Sequence, residues 1–119
     1  MSDKDTDRLH LSEVNQMFLK QLQSDGMIET MIDGYRLAFA IAVYKSLDYE
    51  NHEFESKQTQ GLNQQIDPDQ VIKETVRTLY PENSGKEYQT AEKLADMGVE
   101  FLKSRVDGAS FIDPEVLMK

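Results

Sequence analysis

Residues 27–47 read MIETMIDGYRLAFAIAVYKSL. Ile32, Tyr35, Phe39, Ala42 and Val43 recur at helical spacing, and Leu37, Ala38, Ile41 and Tyr44 fill most of the other sides. The pattern predicts a helix that starts between Met27 and Asp33 and runs to about Leu47. Through Phe39–Tyr44 it is apolar nearly all round, and a helix of that kind is buried on several faces. A chain of 119 residues has few elements to supply such cover. The expectation is therefore a homo-oligomer, joined through Phe39, Ile41, Val43 and Tyr44.

Upstream, residues 1–7 (MSDKDTD) read as a mobile polar tail. Arg8-Leu9-His10-Leu11 alternates as a short strand does, with Leu9 and Leu11 on one face. Ser12 then reads as a helix N-cap. Val14, Met17, Phe18 and Leu22 form the stripe of a first helix, widened by Leu19, and Ser24-Asp25-Gly26 ends it.

Downstream, residues 48–66 (DYENHEFESKQTQGLNQQI) turn polar and read as a flexible loop in which Phe54 docks. Asp67-Pro68 restarts order, with Asp as cap and Pro at the first helical position. This third helix carries Val71, Ile72, Val76 and Leu79 and stops at Tyr80-Pro81. After the turn Glu82–Gly85, a fourth helix spans about 87–106. Its face is Ala91, Leu94, Ala95, Gly98, Phe101 and Leu102, whose small members admit a closely packed neighbour. Asp113-Pro114 opens a short terminal helix with Val116 and Leu117. The fold class is mainly α: one domain over 1–119, four principal helices plus a short C-terminal helix, and one short N-terminal strand. Residues 8–47 form an oligomerising half and 67–119 a second helical half.

Thirteen Lys and Arg stand against 22 Asp and Glu, a formal charge of −9. Both halves are acidic, so the charge argues against non-specific DNA binding, which needs clustered cations. There are no cysteines, which excludes disulfides and thiolate chemistry. The longest apolar run, about six residues, is far short of the roughly 18 that span a bilayer. The N-terminus lacks the basic and apolar regions of a signal peptide, so a cytoplasmic protein without membrane contact is expected.

Chemistry is sparse. His10 and His52 are the two histidines. His52-Glu53-Phe54-Glu55 offers ligand types, but with no second histidine nearby it reads as solvated loop, and neither metal nor other cofactor is expected. Serine nucleophiles need a nearby base: Ser12 reads as a cap, and Ser104 and Ser110 lie far from any histidine. The six glycines are scattered, so no phosphate-binding loop exists. The chain reads as non-catalytic. Gly34 permits close packing or a bend at the second helix, and Arg36 pairs with Glu29, Asp33 or another local acid, or else meets a phosphate or a partner's acid.

The order short strand, helix, glycine turn, apolar helix resembles a ribbon-helix-helix module, in which two chains pair their strands and outward strand residues read the major groove. That likeness implies DNA contacts by Arg8 and His10; Arg36, from its own position, is a further candidate for nucleic-acid contact. Leu11-Ser12, Gly26, Arg36-Leu37-Ala38-Phe39-Ala40 and Ser46-Leu47 also resemble the small E component of the bacterial DNA phosphorothioation system. The likeness covers residues 9–47 and implies a helical, oligomeric accessory protein of DNA modification or defence. That family binds nicked duplex through a lysine-rich surface; here the matching stretch holds Lys20, Arg36 and Lys45 besides His10. The alternatives are a ribbon-helix-helix-type dimeric regulator, or a protein-interaction module with no nucleic-acid role.

Overall fold

The computed structural model describes residues 5–106. Strand β1 (Arg8–Ser12) leads into α1 (Glu13–Ser24), followed by α2 (Met31–Tyr44), β2 (Lys57–Leu62), the one-turn α3 (Asn63–Ile66), α4 (Val71–Leu79), a 3-10 turn (Pro81–Asn83) and α5 (Glu87–Val106). The fold is mainly α, with four principal helices. The terminal helix expected near Val116 lies outside the described residues.

The helices α1, α2 and α4 and the strand β1 all pack on α5. Ala91, Leu94, Ala95, Val99 and Leu102 of α5 are fully buried. The main partner is α2. Gly98 lies against the backbone of Ala38, and a Cβ there would stand 1.9 Å from the Ala38 carbonyl oxygen. The small-residue face thus does what its composition predicts. Leu9 and Leu11 of β1, Leu19 and Leu22 of α1, Ile66, and Ile72 and Val76 of α4 complete the core.

This packing corrects the expectation for the apolar helix. Phe39 and Ile41 are buried within their own chain, along with Ala38 and Ala42. Val43 is half-buried, and only Tyr44 of the four expected interface residues is largely exposed. One chain is large enough because α5 is enclosed on several sides and so serves as a shared wall. The stripe of α1 is also turned from the one expected. Val14 and Met17 face outward, while Asn15, Leu19 and Leu22 face inward.

The polar stretch 48–66 is not a loop throughout. Lys57–Leu62 pairs antiparallel with β1, with Ser12 opposite Lys57 and Arg8 opposite Leu62, and a bulge falls between Leu9 and His10. The cause is the unmet backbone of β1, whose donors and acceptors need partners. The remainder is tied down. Tyr49 packs edge-on against Tyr80 and accepts a hydrogen bond from Asn83. Glu55 donates its N–H to Ser12 Oγ and its carbonyl accepts from Glu13 N–H. Phe54 docks as expected, edge-on to His52 with Lys57 over its ring.

Residues 5–7 of the expected tail are held as well. Asp5 accepts from the N–H groups of Tyr88 and Gln89 at 2.7 and 2.8 Å, which places a carboxylate on the first turn of α5. Asn63 bonds the carbonyls of Thr6 and Asp7. Asp67 does cap the following helix, accepting from Ile72 and Lys73 N–H. It does so from farther upstream than expected, because α4 starts at Val71 and Pro68 lies in the preceding turn.

Glu87 opens α5 and is buried. Burial raises its carboxyl pKa, but its own N–H, that of Gly85 and the Arg77 guanidinium outweigh this and hold it below the usual range. The folded state therefore takes up this proton at lower pH than the unfolded chain. The stabilisation is complete above the unfolded pKa and is lost as pH falls through the folded one. Urea midpoints from neutral pH down to about pH 2 should show wild type losing its advantage over Glu87→Gln across that window. A constant gap at all pH values would refute the assignment.

Candidate functional site

Two features stand out above the fold: a buried polar network and an apolar groove. The network begins with the carboxylates of α5. Glu92, Asp96 and Glu100 recur at i, i+4 and i+8, hence on one face. Glu92 and Asp96 are buried and Glu100 is exposed. Each histidine of the chain meets one of the buried pair. His10 Nδ1 lies 2.8 Å from Glu92 Oε1, and His52 Nε2 lies 2.7 Å from Asp96 Oδ2. Lys57 Nζ reaches the other oxygen of Glu92 at 3.0 Å.

Asp96 is satisfied on both oxygens. Ser12 donates its N–H to Oδ1 and its hydroxyl to Oδ2, and Asn15 Nδ2 donates to Oδ1. Burial raises the Asp96 pKa, but the bonds from His52, Asn15 and Ser12 prevail and hold it below the ordinary carboxylate range. The nearby phenol of Tyr35 is pushed far up by burial and by the charges of Glu92 and Asp96, so it stays a donor, directed at the His10 carbonyl.

Ser12 therefore stands at the N-cap position without capping α1. Its hydroxyl is drawn to Asp96, which corrects the expected cap. His52 is likewise no solvated loop residue. Its ligand-type neighbours are carboxylates from α5, which sequence proximity to a second histidine could not disclose. One signal was available: Glu92 and Asp96 sit among Ala91, Leu94, Ala95 and Val99, where a surface acid would interrupt the buried face. The arrangement does not form a nucleophilic site. Ser12 and His52 both address Oδ2 of Asp96, so the hydroxyl donates to a carboxylate and not to an imidazole acting as base.

The groove lies between α2 and α4, which pack chiefly on α5 and only slightly on each other. Its volume is about 500 Å³, with Phe39, Ala40, Val43 and Tyr44 on one wall and Val71 and Ile72 on the other. Tyr44 and Val71 are 59% and 64% exposed, large values for apolar residues flanking one cleft. Arg36 lies at its edge, with Nε donating to the Ile66 carbonyl at 2.8 Å. That bond satisfies the end of α3, in place of the local acid expected.

The three residues expected at DNA are thus separated in role. His10 is held by Glu92 and Arg36 by Ile66, while Arg8 is exposed on β1. β1 also finds its strand partner within its own chain, whereas the ribbon-helix-helix arrangement needs a second chain. Among the described residues no helix is long and apolar enough to cross a membrane. Comparison of the chain with protein-family models, curated proteins and solved structures gave no match.

Proposed function

We propose that this chain is a non-catalytic interaction protein that captures an amphipathic helix of a partner protein in the groove between α2 and α4. The observation that carries it is the apolar groove flanked by the exposed Tyr44 and Val71. Amphipathic helices bind by laying an apolar face into such a channel. The partner chemistry follows from charge. The chain carries −9, and the exposed Asp69 lines the groove on its α4 side. A helix with a basic polar face complements both. A second copy of this chain would bring its own −9, and the burial of Phe39 and Ile41 removes much of the surface such an assembly was expected to use. The setting in bacterial DNA modification or defence rests on the likeness of residues 9–47. The engagement of His10 and Arg36 inside the molecule favours the protein-binding part of that role over direct duplex contact.

The test is fluorescence anisotropy with a labelled Leu/Lys amphipathic helical peptide, run beside sedimentation of the chain alone. Saturable binding is expected, weakened at least tenfold by Val71→Asp, equal to about 1.4 kcal/mol. The added negative charge would by itself attract the peptide, so a loss reports on the apolar groove. Val14→Asp, on the exposed face of α1, should change little. A dimer that dissociates on Val71→Asp would assign the groove to a second copy. Binding equally indifferent to both substitutions would refute the proposal.

A further inference from the structure

The geometry points to a divalent transition-metal site formed by His52, Asp96 and Glu100, an observation independent of the groove. Asp96 and Glu100 stand one turn apart on α5, and the segment before β2 carries His52 over them. One ligand atom from each residue lies within 4.8 Å of the other two. His52 Nε2 and Asp96 Oδ2 are 2.7 Å apart and share a proton. A metal with ligand bonds of about 2.0–2.2 Å takes the place of that proton once the two atoms separate slightly and the Glu100 carboxylate swings in. A neutral His52 then carries its hydrogen on Nδ1; a charged one releases a proton to solvent.

The parts differ in mobility in the way this requires. Glu100 is exposed, and its bond from Asn15 is long at 3.4 Å. Asp96 is fixed, because the Ser12 N–H and Asn15 hold Oδ1 and thereby orient Oδ2. Donors behind a ligating carboxylate aim it in this manner.

Access and charge agree with the donor set. A cavity of about 270 Å³ is lined by Ser12, Asn15, Glu53, Glu55, Glu100 and Lys103, among others. Glu100 lines it, as do Ser12 and Asn15, which bond Asp96, so it lies beside the proposed site. Glu53, Glu55 and Glu100 outweigh Lys103 there, and a cleft of one sign raises the local concentration of counterions. One imidazole nitrogen with two carboxylates suits zinc-like ions better than calcium or magnesium. The bound ion would tie α5 to the 45–56 connection and, through the bonds of Ser12 and Asn15 to Asp96, to the junction of β1 with α1.

The test is calorimetric titration of the whole chain with Zn²⁺, with Mg²⁺ as the hard-cation comparison, together with thermal unfolding and the ring-nitrogen NMR signals of His52. One Zn²⁺ per chain is expected, with a melting point several degrees higher and the His52 Nε2 signal displaced. Glu100→Gln, a change at an exposed position, should weaken the affinity at least tenfold while leaving the metal-free melting point nearly unchanged. His10→Gln should keep the affinity. Absence of Zn²⁺ uptake, or uptake that Glu100→Gln does not weaken, would overturn the site.

Discussion

Gly98→Ala should unfold this protein or bring it close to unfolding, although the same change in an open helix would stabilise it. In a helix interior, alanine is favoured over glycine by roughly 1 kcal/mol. Here the new methyl would meet the Ala38 carbonyl oxygen at 1.9 Å and its carbon at 2.5 Å. No rotamer can relieve this, since a Cβ has none and the obstacle is backbone. The α2–α5 contact must open by on the order of 1 Å, and gaps of that size forfeit a quarter to a half of each affected contact. The net loss should be about 3 kcal/mol or more, at the upper end for overpacking, because this is the main contact in the molecule. Urea unfolding measures it. Ala38→Gly should fail to rescue the variant, since it removes a side chain that is not the obstruction. A Gly98→Ala protein as stable as wild type would show that the two helices stand farther apart.

Asp96→Ala should be comparably damaging, for a different reason. The carboxylate, itself fully buried, accepts from the Ser12 N–H, the Ser12 hydroxyl, Asn15 and His52. Its removal leaves several buried donors unmet, and losing one partner of a buried charged cluster costs about 3–5 kcal/mol. Asp96→Asn keeps the shape but turns one acceptor into a donor facing other donors, so about 2 kcal/mol should still be lost. Thermal and urea unfolding of both variants give the order alanine, asparagine, wild type. Asparagine equal to wild type would mean that the charge of Asp96 is dispensable.

Punctuation and periodicity made most elements legible. Gly26, Asp67 and Tyr80-Pro81 mark helix ends by local backbone chemistry, and α5 falls on Glu87–Val106, the span expected. Strand β2 stayed hidden because Lys57-Gln58-Thr59-Gln60-Gly61 is polar and its partner lies far upstream. The site stayed hidden because side-chain type does not disclose burial. Asn15 and Asp96 look like surface residues until each supplies what the other lacks, and their attraction turns α1 so that Val14 and Met17 face solvent. The apolar second helix misled in the other direction. Its composition correctly implied cover on several sides, but whether another molecule or a later segment supplies that cover depends on long-range packing.

The central place of α5 has a consequence for biosynthesis. A ribosome releases the earlier helices and the first strand before the segment on which they rest has been made. β1 waits for its mate until Lys57–Leu62 has been made, and until α5 follows, the leucines of β1 and α1 have no wall to press against and two histidines lack their acids. The nascent polypeptide must remain unsettled until α5 is available and then acquire its shape in one cooperative event.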